Sequence, residues 1–182
     1  MKKQKKKFGF IKKAITYFSF LIVIFAAAVF GTKYYLYDSD ARVEQTDLSQ
    51  VSIDGIKLYD LASDIDISKY NYTEQVTDKC NYNFRELSYK TNSKEEVDYI
   101  NADFKKVDVV LDKEFTDKPT RVKQVWDILG TNYTLDKYRP EENNYWKICR
   151  YTDSVHGIYV GIVYSRYNDE IYRIIVSNSK IK

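Results

Sequence analysis

The sequence predicts an α+β protein in which an N-terminal transmembrane helix precedes two repeats, each a helix followed by a three-stranded meander, that form antiparallel sheet. Three observations lead to this prediction: an uncharged N-terminal segment, two stretches with apolar residues at helical spacing, and alternating apolar and polar stretches after each. The predicted divisions are a basic cytoplasmic leader (1–13), a transmembrane signal-anchor helix (14–37), a spacer (38–50), a first αβ repeat (51–115) and a second αβ repeat (116–182).

The leader holds much of the chain's positive charge. Its lysines expected to orient the chain in a membrane are Lys5, Lys6, Lys7, Lys12 and Lys13. Eight of the 29 Lys and Arg residues precede Asp38, the first acidic residue, which leaves 21 basic against 26 acidic residues, or about −5, from there onward. A body with net negative charge does not attract phosphate overall, which argues against nucleic-acid binding.

The segment 14–32 contains 19 residues without a charge. As a helix it is roughly 28 Å long, close to the hydrocarbon thickness of a bilayer. The lysines before it predict a single-pass protein of the cell membrane, with a cytoplasmic N-terminus, an extracellular C-terminal domain and the lipid bilayer as a partner. A cleaved signal peptide is the alternative, because Ala26-Ala27-Ala28 offers a small-x-small site, and cleavage after Ala28 gives a secreted protein.

Two stretches place apolar residues at i, i+3, i+4 and i+7, the spacing of an amphipathic helix. They are Leu58, Leu61, Ala62 and Ile65 in the first repeat, and Val122, Val125, Trp126 and Leu129 in the second. The second stretch has clear limits, since Asp117 and Pro119 precede it and Gly130 follows it. The two stretches are 64 positions apart, which indicates a repeat.

The strand patterns after the two helices keep nearly the same offset. They cover 82–84, 97–104 and 107–111 in the first repeat, and 146–148, 158–167 and 172–176 in the second. Matching phases at the helix and at the strands favour duplication of one helix-plus-meander unit.

Alternation along the second repeat divides its sheet into two faces. The face predicted to be covered by helices consists of Trp146, Ile148, Ile158, Val160, Ile162, Ile174 and Val176. The alternate positions, which include Cys149, are predicted to form an open face, and the candidate protein-binding residues on it are Tyr145, Lys147, Tyr151, Tyr159, Tyr167 and Arg173. Aromatic and basic side chains are typical of protein interfaces, although tyrosine also suits strands for structural reasons alone.

The order of helix, glycine and three strands, in TRVKQVWDILG, YWKICRY, GIYVGIVYSR and EIYRIIVSN, resembles the αβ module of the SmpA/OmlA outer-membrane-assembly lipoproteins. The tandem arrangement is similar to the β-lactamase-inhibitory-protein fold, which displays an aromatic-rich sheet face to its partner. The resemblance covers most of 51–180, and Leu129-Gly130 is its most specific element. It implies binding rather than catalysis. The chain departs from the lipoprotein family because no cysteine lies near the end of the uncharged segment.

Residues with catalytic or metal-binding chemistry are few. His156, the only histidine, lies in a polar stretch between two strand patterns and is predicted to be a solvated turn residue. Asp64 and Asp66 begin like a calcium loop, but Lys69 stands where that loop needs glycine. Cys80 and Cys149 permit one disulfide in an extracytoplasmic domain, with two reduced thiols as the alternative. We therefore expect no cofactor, no metal and no enzyme activity.

The abundance of Lys, Tyr, Ile and Asn, which have A/T-rich codons, indicates a low-GC Gram-positive source. The function predicted from these observations is a membrane-anchored extracytoplasmic protein-binding module without catalysis, acting as an inhibitor, immunity factor, assembly accessory or sensor. The expected partner is a protein or cell-envelope component. One alternative is a small structural subunit of a membrane or secretion complex. Another is a carboxylate-based cell-envelope hydrolase, although no pair among the 26 acidic residues stands out.

Overall fold

A computed structural model of the chain describes residues 19, 22, 24–25, 45–73, 80–115, 117–138 and 146–181. The chain divides into two compact units, Met1–Arg42 and Val43–Lys182. In the first unit, Ser19, Ile22, Ile24 and Phe25 are helical.

Among the described residues, no helix is both long and apolar enough to cross a membrane. This finding contradicts the predicted transmembrane helix, single-pass topology and cell-membrane localisation, because a span needs about 20 consecutive apolar helical residues. Most of the predicted segment 14–37 lies outside the described residues, and so do the orienting lysines Lys5, Lys6, Lys7, Lys12 and Lys13.

The second unit is mostly β. Its strands are β1 (Ser52–Ile53), β2 (Tyr82–Asn83), β3 (Leu87–Thr91), β4 (Val97–Asp103), β5 (Val109–Val110), β6 (Thr134–Tyr138), β7 (Trp146–Asp153), β8 (Ile158–Ser165) and β9 (Ile171–Ser177). Seven of them form an antiparallel sheet in the order β2-β3-β4-β9-β8-β7-β6, and β1 and β5 form a separate antiparallel ribbon. Within the described part of this unit there is one α-helix, α1 (Val122–Leu129), so the predicted α+β class with two helix-plus-meander repeats is wrong.

The segment predicted as the first helix, 58–65, forms turns instead. Tyr59 has φ +73°, a left-handed conformation that an α-helix excludes. The Asp60 carboxylate accepts a hydrogen bond of 2.7 Å from the backbone N–H three residues earlier. Farther along, Asp66 Oδ1 accepts from Ser68 N and so caps a short 3-10 helix. Side chains that bond the nearby backbone in this way compete with an α-helix, which is why the helical spacing is misleading here.

The strand predicted at 107–111 does not join a meander with β4. Its central part, β5, pairs with β1, and β9 occupies the place beside β4. Strand pairing joins residues that are distant in sequence, so alternation predicts a strand without predicting its neighbour. The two predicted repeats therefore share one continuous sheet.

One face of the seven-stranded sheet, here called the inner face, carries the main hydrophobic core. It is covered by α1 and by the β1–β5 ribbon with the chain that precedes it. Val122, Val125 and Leu129 form the buried stripe of α1, and burying each contributes roughly 1.5–3 kcal/mol. At the start of the helix, the Gln124 side-chain oxygen accepts hydrogen bonds from the Thr120 and Arg121 N–H groups at 2.8 and 3.0 Å. The core contributions of the sheet include Leu87, Tyr89, Ile100, Cys149, Tyr151, Val160, Ile162, Ile174 and Val176.

The opposite face, here called the outer face, carries a second and smaller cluster. Ile148, Val163 and Ile175 are buried there, and Ile181 near the C-terminus packs against them. By strand alternation and register the outer face includes Ser88, Lys90, Tyr99, Asn101, Asp103, Asp136, Tyr138, Trp146, Ile148, Arg150, Tyr159, Val163, Arg173 and Ile175. The main core is on the other side, so this face is the part of the sheet available for contacts outside the unit.

Candidate functional site

Strand β7 presents the opposite faces from those predicted. Cys149 and Tyr151 are fully buried in the main core, and the Tyr151 hydroxyl donates to the Gly130 carbonyl at 3.0 Å. Trp146 and Ile148 lie on the outer face. Side chains alternate with a period of two, so a strand assigned one residue out of phase exchanges its faces completely. The predicted covered face is therefore wrong for this strand.

The other candidate binding residues are dispersed. Lys147 is half-buried on the same side of β7 as Cys149, while Tyr167 lies in the turn after β8 with 74% of its surface exposed. Tyr159 and Arg173 lie on the outer face. Tyr145 is outside the described residues. Of the described candidates, the structure places Tyr159 and Arg173 together on the outer face and separates the others from it.

The alternation pattern does not predict an aromatic pair formed by exposed Tyr172 and half-buried Trp146. Tyr172 stacks on Trp146 with a centroid separation of 4.7 Å, and the Arg173 guanidinium lies 5.7 Å from the Tyr172 ring centre. The pairing of β8 with β9 shifts register after Val163, which faces Arg173, whereas Tyr164 faces Ile171. Tyr172 is the extra residue at this irregularity, so alternation along the sequence gave no signal of its position.

A polar cleft of about 940 Å³ lies beside this aromatic pair, where β3, β4 and β9 meet the chain around β2. Arg85, Glu86, Asp103, Lys106, Tyr172 and Arg173 are among the residues that line it. It thus contains three cations and two carboxylates.

The two carboxylates of the cleft already have partners. Glu86 accepts hydrogen bonds from the Asn71 side chain at 2.6 Å and the Asn71 N–H at 3.0 Å. Although burial opposes the shift, these bonds lower the pKa of Glu86 below its ordinary value. Asp103 forms an ion pair of 3.4 Å with Lys106. Both acids are therefore held as acceptors by neighbouring groups.

The two arginines of the cleft, unlike Asp103, form no ion pair with any described residue. Within the part of the chain that the structure describes, no carboxylate oxygen lies within 4.0 Å of the Arg85 or Arg173 guanidinium. Asp103 is the cross-strand neighbour of Arg173, but it pairs with Lys106. Among the described residues that line it, the cleft therefore has one more cation than carboxylate, and its two arginines have no ion-pair partner.

A second polar cluster joins the β7–β8 turn to the chain before β1. Asp153 is 2% exposed, and its Oδ2 accepts from Leu48 N at 2.9 Å and from His156 Nδ1 at 2.7 Å. Its Oδ1 accepts from Val155 N and His156 N at 3.0 Å each. His156, predicted as a solvated turn residue, is thus bound on one side to a buried carboxylate. Burial opposes the shift, but these bonds lower the pKa of Asp153.

Three side chains of this cluster are of the types that ligate metal ions. Asp47, Asp153 and His156 converge, with Asp47 Oδ1 4.0 Å from His156 Nδ1. The Asp153 oxygens already accept four hydrogen bonds, and the 2.7 Å separation of His156 Nδ1 from Asp153 Oδ2 is that of a hydrogen bond. A metal ion has to displace these bonds, so the arrangement favours a structural latch between two chain segments.

The two cysteines do not form a disulfide with each other in this structure. Cys149 lies in the main core, where its thiol donates weakly to the Ile162 carbonyl at 3.8 Å. Burial raises the pKa of Cys149 to about 12. Cys80 lies just before β2. Of the two alternatives left open by the sequence, the structure has the two thiols, one buried in the sheet and one near its edge.

Comparison with protein-family models, curated proteins and solved structures finds no match for this chain. The resemblance to the SmpA/OmlA lipoproteins and to the β-lactamase-inhibitory-protein fold therefore stays a prediction. In the second unit, the aromatic pair and the polar cleft lie next to each other at the outer face, which is therefore the candidate functional site.

Proposed function

We propose that the second unit is a protein-binding module without catalysis and that it binds its partner through the outer face of the sheet. The observation that carries this proposal is the cluster of Trp146, Tyr172 and Arg173 at the side of the cleft, in which Tyr172 is exposed and the other two are half-buried. Trp, Tyr and Arg are the residue types that most often dominate the binding energy of protein interfaces. An inhibitor, immunity factor, assembly accessory or sensor each needs such a surface.

The support beneath the cluster favours a rigid binding surface. Trp146 packs on the buried side chains of Ile148, Val163 and Ile175, and the sheet is held from its other side by the main core. An aromatic anchor that is fixed before binding loses little conformational entropy when a partner arrives. The outer face is therefore suited to recognition without rearrangement.

The chemistry of the cleft favours binding over hydrolysis. A carboxylate-based glycosidase uses one acid with a raised pKa and a second carboxylate that acts on the substrate or on water. Here the pKa of Glu86 is lowered by its hydrogen bonds to Asn71, and Asp103 is paired with Lys106. Neither acid has the environment that hydrolysis requires.

The test is affinity capture with the full-length chain from an extract of the organism that encodes it, followed by direct titration with the purified captured protein. The double variant W146A/Y172A is expected to lose most of the binding. The matched control is Y167A, which removes an exposed aromatic side chain from the turn after β8. Unchanged binding by W146A/Y172A, with its circular dichroism and melting temperature preserved, excludes the outer face as the site.

Loss of partner binding in Y167A, with binding retained in W146A/Y172A, also contradicts the proposal. In that case the binding surface includes Tyr167, one of the candidates predicted from the sequence, and not the stacked pair.

A further inference from the structure

We infer that the cleft beside Trp146 and Tyr172 receives an acidic segment of the partner protein, whose carboxylates bind Arg85 and Arg173. This inference rests on the proposed function, because it assigns the chemistry of the partner at the same face. The charges that line the cleft favour an acidic partner.

The charges that line the cleft are not balanced internally. Asp103 is paired with Lys106 at 3.4 Å, and Glu86 is occupied by Asn71. The guanidinium groups of Arg85 and Arg173 remain without a carboxylate within 4.0 Å among the described residues. A ligand that brings carboxylates therefore adds ion pairs without breaking any that already exist.

Arginine is better suited than lysine to this task. The planar guanidinium presents a fork of N–H donors that matches the two oxygens of a carboxylate, and it also stacks on aromatic rings. Arg173 already lies over the Tyr172 ring, which limits its freedom before binding. It is therefore partly preorganised to receive an acidic side chain.

The wall of the cleft suits a peptide rather than an isolated ion. Tyr72, 73% exposed, lies at one side, Phe84 lies near it, and Tyr172 lies beside Arg173. A segment that crosses the cleft meets aromatic surface as well as cations, and aromatic groups bury apolar area around an ion pair. A cleft of about 940 Å³ has room for several side chains.

The charge of the rest of the body limits where an acidic partner can bind. From Asp38 onward there are 21 basic and 26 acidic residues, so the body has a net charge of about −5. An acidic partner is repelled by most of this surface and attracted by the arginines of the cleft. Such a contrast selects the orientation in which an acidic segment meets the cleft.

The experiment uses the full-length chain in which the leader lysines, which would themselves bind polyglutamate, are replaced by Gln (Lys2, Lys3, Lys5, Lys6, Lys7, Lys12 and Lys13). Three labelled probes of equal length are compared: polyglutamate, polylysine and a neutral glycine-serine peptide. Fluorescence anisotropy is measured at about 0.05 M and about 0.5 M salt, which shortens the screening length severalfold. We expect polyglutamate to bind best, and to bind more weakly at the higher salt concentration.

The decisive variant is R85E/R173E. Its dissociation constant for polyglutamate is expected to rise at least about tenfold, since two ion pairs are lost and repulsion replaces them. The matched control is K94E/R166E, which changes the net charge equally at two exposed turn positions. If R85E/R173E does not fold, R85Q/R173Q removes the same charges at nearly the same size.

Three results overturn the inference. The first is no preference for polyglutamate over the neutral peptide. The second is equal weakening by K94E/R166E, which indicates a general charge effect. The third is tighter binding of a single-stranded oligonucleotide by the same two arginines, which indicates a phosphate ligand instead of an acidic protein.

Failure here is separable from failure of the proposed function. If W146A/Y172A loses the captured partner but R85E/R173E retains it, and polyglutamate does not bind, the outer face is still the binding surface. The inference of an acidic segment in the cleft is then excluded. If neither double variant affects partner binding, both proposals are excluded.

Discussion

Asp153 provides a sharp test of how a buried carboxylate joins distant parts of this chain. It accepts hydrogen bonds from Leu48 N, Val155 N and His156 N and from the His156 ring, and 2% of its surface is exposed. In D153N, an amide group replaces one of the two oxygens, so whichever way it turns, two of the four donors face another donor. All four bonds are charge-assisted in the native chain.

The expected size of this effect follows from those bonds. A hydrogen bond to a charged group contributes about 1.5–3 kcal/mol, and repacking recovers part of the loss, so D153N should lower the free energy of unfolding by about 2–4 kcal/mol. Urea unfolding followed by tryptophan fluorescence measures this, because Trp126 and Trp146 both belong to the second unit.

The matched control for this prediction is D136N. Asp136 makes an ion pair of 3.4 Å with Arg150, but its side chain is 63% exposed, so the same substitution should cost less than about 0.5 kcal/mol. If D153N is destabilised by no more than D136N, the latch does not hold the chain before β1 to the β7–β8 turn.

Three further outcomes are expected. The hydrogen bond to Asp153 raises the pKa of His156 above its ordinary 6.5, although burial opposes the shift; the ionic part of this contact is therefore fully present below pH 6.5 and is lost as the pH rises through the raised value. As the pH rises from 6.5 through the raised pKa of His156, the melting temperatures of the wild type and H156Q should converge. A difference between the two melting temperatures that does not change with pH contradicts this. In the C80S variant, Cys149 should react with a thiol reagent only on unfolding, since burial raises its pKa to about 12; rapid labelling of the native chain disproves its burial. G161A should lower the free energy of unfolding by about 1–3 kcal/mol through overpacking, because the added Cβ lies 2.8 Å from Ile148 Cδ1. I148V removes that atom and should restore part of the loss in urea titrations; no coupling between the two changes refutes the steric cause.

Local patterns located several elements without defining the fold. The apolar spacing of 122–129, with Gly130 after it, corresponds to helix α1, since this stripe meets the core and no side chain there diverts the backbone. The same spacing at 58–65 failed because Tyr59 is left-handed and Asp60 closes a turn. Periodicity describes which side of a helix is apolar, but competing hydrogen bonds decide whether the helix forms.

The candidate site was the least predictable part. Strand β7 has large apolar side chains on both faces, Trp146 and Ile148 on one and Tyr151 on the other, so alternation did not reveal which face meets the main core. The packing of α1 on the inner face decided it. Tyr172 joined Trp146 through a register shift between β8 and β9, and such a shift depends on pairing rather than on local sequence.

The sequence by itself determined the charge of the body, the position of α1 and the strand character of β7, β8 and β9, because composition and periodicity are properties of short stretches. Only the tertiary structure decided that β4 pairs with β9, that β5 pairs with β1, and that Asp153 binds a backbone N–H 105 residues away. These contacts join residues that are far apart along the chain, and they form only when the core closes and selects one set of partners. The outer face with its aromatic pair, and the adjoining cleft with its two arginines, are products of that selection.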